Sequence, residues 1–176
     1  MQMKIKFKQN KNTILNSLKT ANIKRKLRIL DKMNGVNEND SIKILLKILE
    51  DNSWTLREKA AYKLAGYGKK VVPRLKKLIN RGYWFCRAAV CITLGEIGDI
   101  KSLDSIIDLL LFDNNPTVVK EASTALVKMA RREPAKFARR LTGMSLDEPK
   151  MLKILITLET NDTEIYTLIK ELTQNE

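Results

Sequence analysis

Trp54-Thr-Leu-Arg57-Glu58-Lys59-Ala60-Ala61-Tyr62-Lys63-Leu64-Ala-Gly66-Tyr-Gly68 and Trp84-Phe-Cys86-Arg87-Ala-Ala-Val90-Cys91-Ile92-Thr-Leu94-Gly95-Glu-Ile-Gly98 align without a gap. Trp, Arg, Leu and the closing Gly each recur after 30 residues. A degenerate third copy opens at Pro116 and runs through Val119, Ala122 and Ser123 to Leu126. With Leu64 as marker, the series is Leu30, Leu64, Leu94, Leu126 and Leu158, at steps of 34, 30, 32 and 32 residues. Three positions before each marker stand Leu27, Ala61, Cys91, Ser123 and Leu155, all small or apolar. Recurrence at this interval marks one supersecondary unit stacked on copies of itself.

Each unit reads as two helices. The first carries apolar residues at three-to-four spacing: Ile42, Leu45, Leu46 and Leu49, then Val72, Leu75, Leu78 and Ile79, then Leu103, Ile106, Ile107 and Leu110. Such a stripe predicts a helix buried along one side. Short polar turns follow at Glu50–Ser53, Asn80–Gly82 and Asp113–Asn115. Their Asp, Asn and Ser residues suit the cap of the next helix, and Pro116 suits a first helical turn. The second helix ends at Gly66/Gly68, at Gly95/Gly98, or at Arg132 before Pro134. A lone pair of this kind cannot bury its apolar face, whereas stacked pairs share one core and expose an extended surface.

The run W-x-x-R-x-x-A-A-x-x-L-x-x-x-G over Trp54–Gly68 resembles the short HEAT-like repeat of the phycobilisome-lyase type. The resemblance is specific there and at Trp84–Gly98, covers Ile42 to Ala130, and fades outside. It implies an all-α fold, a right-handed α-α superhelix of about five helical hairpins in a single domain. The expected repeats span roughly 11–36, 41–68, 71–98, 102–132 and 134–160, with a capping helix over 163–174. The first lacks the Arg and the Gly pair, and Pro134 and Pro149 leave the last with a short or broken first helix. Met3 to Lys8 alternates like a strand without a partner, so an arm or an extension of the first helix is expected. The resemblance also implies that Trp54 and Trp84 pack across the turn onto a neighbouring repeat. It further implies that Arg57 and Arg87 brace turn carboxylates of an adjacent repeat, for which Asp51 and Asp113 are in place.

Composition narrows the chemistry. The chain has 176 residues, 44% hydrophobic and 6% aromatic, with no His and two Cys. Without His, a Cys/His zinc site and a His-dependent catalytic relay are excluded. Cys86 and Cys91 fall on different faces of one helix and cannot readily bridge. Cys91 reads as a buried small hydrophobe; Cys86, near a helix start, is where a thiol pKa can be lowered. Asp147 and Glu148 before Pro149 read as a helix cap. Gly66-Tyr-Gly68-Lys-Lys has no preceding strand, so it is not a phosphate loop. The expectation is a non-enzyme with no cofactor and no metal. The first residues lack the apolar core of a signal peptide and no segment is long enough to span a membrane, so a reduced cytoplasmic setting is expected.

Charge points to partners. The formal net charge is +13, with 33 basic against 20 acidic residues. Residues 1–33 hold ten basic groups against one acid, 57–101 eleven against three, and 128–144 six against one. Such a surplus attracts acidic protein surfaces and polyanions. In HEAT-like solenoids the second helices line the concave side. The positions turned outward from the marker Leu are Lys24, Arg25, Arg28 and Lys32; Glu58, Lys59, Tyr62 and Lys63; Ala88, Ala89, Ile92 and Thr93; and Lys120, Glu121, Thr124 and Lys128. This reads as a surface graded from basic to apolar, matching an acidic, partly hydrophobic protein segment. The expected contact residues are Lys24, Arg25, Arg28, Lys59, Tyr62, Lys63 and Ile92. The alternative is sequence-indifferent binding of DNA or RNA through Lys69-Lys70, Lys76-Lys77, Arg131-Arg132 and Arg139-Arg140, as on HEAT-like alkylpurine DNA glycosylases. A third reading, an accessory or bilin-lyase role, follows from the family resemblance alone.

Overall fold

The computed structural model describes residues 10–80 and 82–174. The strand-like stretch Met3–Lys8 lies outside these residues. Among them, helices α1 (Lys11–Thr20) and α2 (Ile23–Asp31) form the first hairpin, α3 (Glu38–Ile48) and α4 (Trp54–Ala65) the second. Helices α5 (Val72–Ile79) and α6 (Trp84–Ile97) form the third, α7 (Leu103–Phe112) and α8 (Pro116–Arg132) the fourth. Helices α9 (Pro134–Thr142), α10 (Glu148–Asn161) and α11 (Thr163–Gln174) close the chain.

The turns at Glu50–Ser53 and Asp113–Asn115 act as caps, whereas among the described residues no side chain caps α6 after Asn80–Gly82, contrary to expectation. Ser53 accepts from the Leu56 N–H, Asn115 from the Thr117 N–H and Asp147 from the Lys150 N–H, so each satisfies a donor the helix itself leaves unpaired. Gly98 ends α6 in the left-handed region at φ 65°, where a side chain would be strained. Arg132 of α8 then donates to the carbonyl oxygens of Glu96 and Ile97, placing positive charge at the negative end of α6.

The repeats stack through their second helices. All five marker leucines are fully buried, in one core that runs from Ile14 to Ile169. Between them α4, α6 and α8 place Ala60, Ala61, Ala88, Ala89, Cys91, Gly95, Ala122 and Ala125 at their contacts, all buried. Small side chains let the helix axes approach closely, so packing is densest along this row. The row of second helices is therefore the tightly packed side of an all-α solenoid. The first helices add Ile42, Leu45, Leu49, Leu75, Ile106, Ile107 and Leu110 from the other side.

The end of the array is built differently. Helix α9 is only nine residues long, and α11 packs on both α9 and α10. Arg131 of α8 pairs with Asp162 at the α10–α11 turn, and Arg140 of α9 pairs with Asp104 of α7. Ile165 and Ile169 of α11 are the buried residues that seal the core against water.

Candidate interaction surface

Two arginines at equivalent positions have different fates. Arg87 donates from Nε and Nη2 to both oxygens of Asp113 in the next hairpin, at 2.5 and 3.0 Å, as the repeat pattern implies. Asp113 is 4% exposed; burial pushes its carboxyl up, but the Arg87 hydrogen bonds, the Asn115 N–H and the Arg87 charge hold it below its ordinary value. Arg57 instead donates to the backbone carbonyl of Asp51 in its own hairpin, at 2.6 Å. The Asp51 carboxylate takes Lys26 of the preceding hairpin. The turn after α5 carries no carboxylate, so the Arg57 guanidinium lies 4.8 Å from the Phe85 ring and 5.5 Å from the Trp54 ring. This corrects the expected carboxylate brace for Arg57; an aromatic seat replaces it. Burial depresses its pKa.

Trp54 and Trp84 are not hidden in the stack. They keep 37% and 43% of their surface in solvent, beside Tyr83 at 70%. Phe85 stacks on Tyr83 at 5.2 Å and meets Trp84 edge-on at 5.7 Å, so the α6 entrance is an aromatic ridge. The thiols lie deeper. Cys86, despite its place in the first turn of α6, is fully buried, and burial pushes its pKa up to about 11. The lowering expected from the helix start is overturned by desolvation. Burial pushes the Cys91 thiol up as well.

The expected contact residues do not form one patch. Arg25 and Arg28, with Lys32, face Thr13 and Ser17 of α1 across a cavity of about 280 Å³. Lys24 is exposed on the same helix. Lys63 lines a separate cavity of about 340 Å³ against Met33, Val36 and Tyr67. Lys59 pairs with Asp31 at 2.7 Å, and that hydrogen bond lowers the Asp31 pKa. Tyr62 and Ile92 share a third hollow, about 90 Å³, between α4, α6 and α8. Ile92 is 8% exposed, and Ala88, Ala89 and Thr93 are fully buried. The apolar end of the expected gradient is therefore not a surface: α4 and α8 close over α6 because its residues are small. A larger hollow, about 680 Å³, lies elsewhere, between Leu15 and Leu18 of α1 and Ile48 of α3, with Lys26 and Asp51 in its wall. No sequence motif marks it.

Residues 42–127 match the family model of HEAT repeats. The segment is a run of HEAT repeats. A comparison with curated proteins finds no match to the chain. HEAT repeats generally mediate protein–protein contact. No helix among the described residues is long and apolar enough to cross a membrane. Much of the basic charge considered for nucleic acid is used within the stack of hairpins. Lys70 pairs with Glu38, Lys69 with Asp99, Arg131 with Asp162 and Arg140 with Asp104, while Lys76 donates to the Lys101 carbonyl.

Proposed function

We propose that the chain is a non-catalytic scaffold whose wall of second helices holds an acidic segment of a protein partner. The observation that carries this is the state of α2. Lys24, Arg25 and Arg28 are exposed, and none makes an ion pair or side-chain hydrogen bond among the described residues. Farther along the array Lys69, Lys70, Arg131 and Arg140 are paired, and exposed basic groups without such a partner among the described residues, such as Lys43, Arg74, Lys77, Lys101 and Lys120, are spread over several elements, so α2 is where three of them share one helix face. Three cations on one helix face attract carboxylates at long range and order them at short range. Lys59, Tyr62 and Lys63 of α4 continue the contact toward the middle of the wall.

The test is co-purification with the K24E/R25E/R28E variant beside the native chain, followed by mass spectrometry of what is retained. An acidic protein held by the native chain and released by the variant is the expected result. Retention by both forms places the contact elsewhere. A native-chain gel shift with DNA or RNA at low salt that the variant abolishes would assign α2 to nucleic acid instead.

A further inference from the structure

The sign of the charge changes in the middle of the wall of second helices. Trp54, Glu58 and Tyr62 recur every four residues on α4 and so form one wall of the hollow over α6. Glu121, Thr124 and Lys128 of α8 form the other, and Cys91, Ile92 and Gly95 are the floor. Glu58 and Glu121 lie at matching heights, each in the second turn of its helix, and are half-buried.

Among the described residues neither carboxylate has an ion pair or a hydrogen bond, although this chain carries a formal net charge of +13. Eleven other acids, among them Asp31, Glu96 and Asp113, are paired with Lys or Arg. Lys128, which also lines the hollow, is taken by Glu96 at 2.5 Å, and Lys120 is exposed. Burial pushes the Glu121 carboxyl above its ordinary value; Lys120 and Lys128 oppose this, and Glu58 adds to it. Two carboxylates without an ion pair line one small hollow, and an inserted cation would pair with both.

The remaining lining specifies the cation. The hollow, about 90 Å³, holds an ammonium group and its last methylenes but little more. Half-exposed Trp54 and Tyr62 offer ring surface to a cation and its stem. We infer that the hollow between α4, α6 and α8 receives a lysine side chain of the partner polypeptide, its ammonium between Glu58 and Glu121 and its methylenes along Trp54 and Tyr62. This inference deepens the scaffold reading. The preferred segment is acidic where it meets α2 and carries one lysine a helix further along, so the pattern of charge, rather than net charge alone, selects it.

The probe is N-acetyl-lysine methylamide, followed by the Trp54 indole resonance in a W84F background. A saturable shift is expected with the amine. The response should weaken at least about tenfold with the Nε-acetylated analogue, which keeps the stem but loses the charge. E58Q/E121Q should abolish it while leaving the helical circular dichroism intact. An equal response to the neutral analogue, or an undiminished one in E58Q/E121Q, overturns the inference. So does a response to calcium ions without any to the amine, which would make the hollow a metal site. K24E/R25E/R28E should retain the full amine response even where it loses the acidic partner, so failure of the α2 reading and failure of this one remain distinguishable.

Discussion

A Cβ placed on Gly95 of α6 would lie 2.8 Å from the Cα of Ala125 in α8. The obstacle is backbone, which cannot rotate aside as a side chain can. The close approach of α6 and α8 here thus depends on one missing methyl group. Gly95→Ala gains about 1 kcal/mol in helix propensity but, against backbone that cannot yield, loses about 2–3 kcal/mol to overpacking. We expect a net loss of about 1–2 kcal/mol in urea denaturation, and a larger one for Gly95→Val. Gly35→Ala, where the new atom meets nothing within 4 Å, is the control. A Gly95→Ala protein as stable as the native chain would show that the α6–α8 spacing is soft.

Arg87→Met should cost about 3 kcal/mol at pH 7, because it strands the nearly inaccessible Asp113 carboxylate. Arg57→Met should cost less, since its loss leaves a carbonyl rather than a charge unpaired. The Arg87 effect has a pH signature. Asp113 is held below its ordinary value, so its stabilisation is present above about pH 4 and is lost as pH falls through the folded value. The gap between native and Arg87→Met urea midpoints should therefore narrow at low pH. A gap independent of pH would mean that Arg87 acts by packing alone.

Glu121→Gln should raise the melting temperature at pH 7. Its carboxyl is pushed up on folding, so the folded state binds the proton more readily and the charged form costs stability. The gain should fade as pH falls below the ordinary glutamate range, where both forms are neutral. Destabilisation by Glu121→Gln at neutral pH would contradict the unpaired placement of this side chain.

Both thiols should be silent in the native protein. With a pKa of about 11, Cys86 is about one-thousandth thiolate at pH 8, and it is also shielded from reagent. A chromogenic disulfide reagent should titrate neither cysteine until denaturant is added, then both. Stoichiometric labelling of one thiol under native conditions would show that the α6 entrance opens.

The recurrence of Leu30, Leu64, Leu94, Leu126 and Leu158 alone determined an all-helical stack of hairpins, because a period near 32 with a buried marker leaves few other ways to hide an apolar stripe. The caps at Ser53, Asn115 and Asp147 and the Arg87–Asp113 brace were also legible, since each depends on residues a fixed number of steps from a repeat landmark. Ala88, Ala89 and Thr93 were misread as a solvent face, because helical phase gives a side chain's direction but not how near the next helix comes. Closeness is set by the sizes of residues on both partners, as at Gly95 and Ala125, and only the assembled stack fixes it. The same holds for Glu58 and Glu121. They lie 63 positions apart on different helices, and nothing but the packing of α4 and α8 over α6 turns two ordinary surface acids into a facing, unpaired couple.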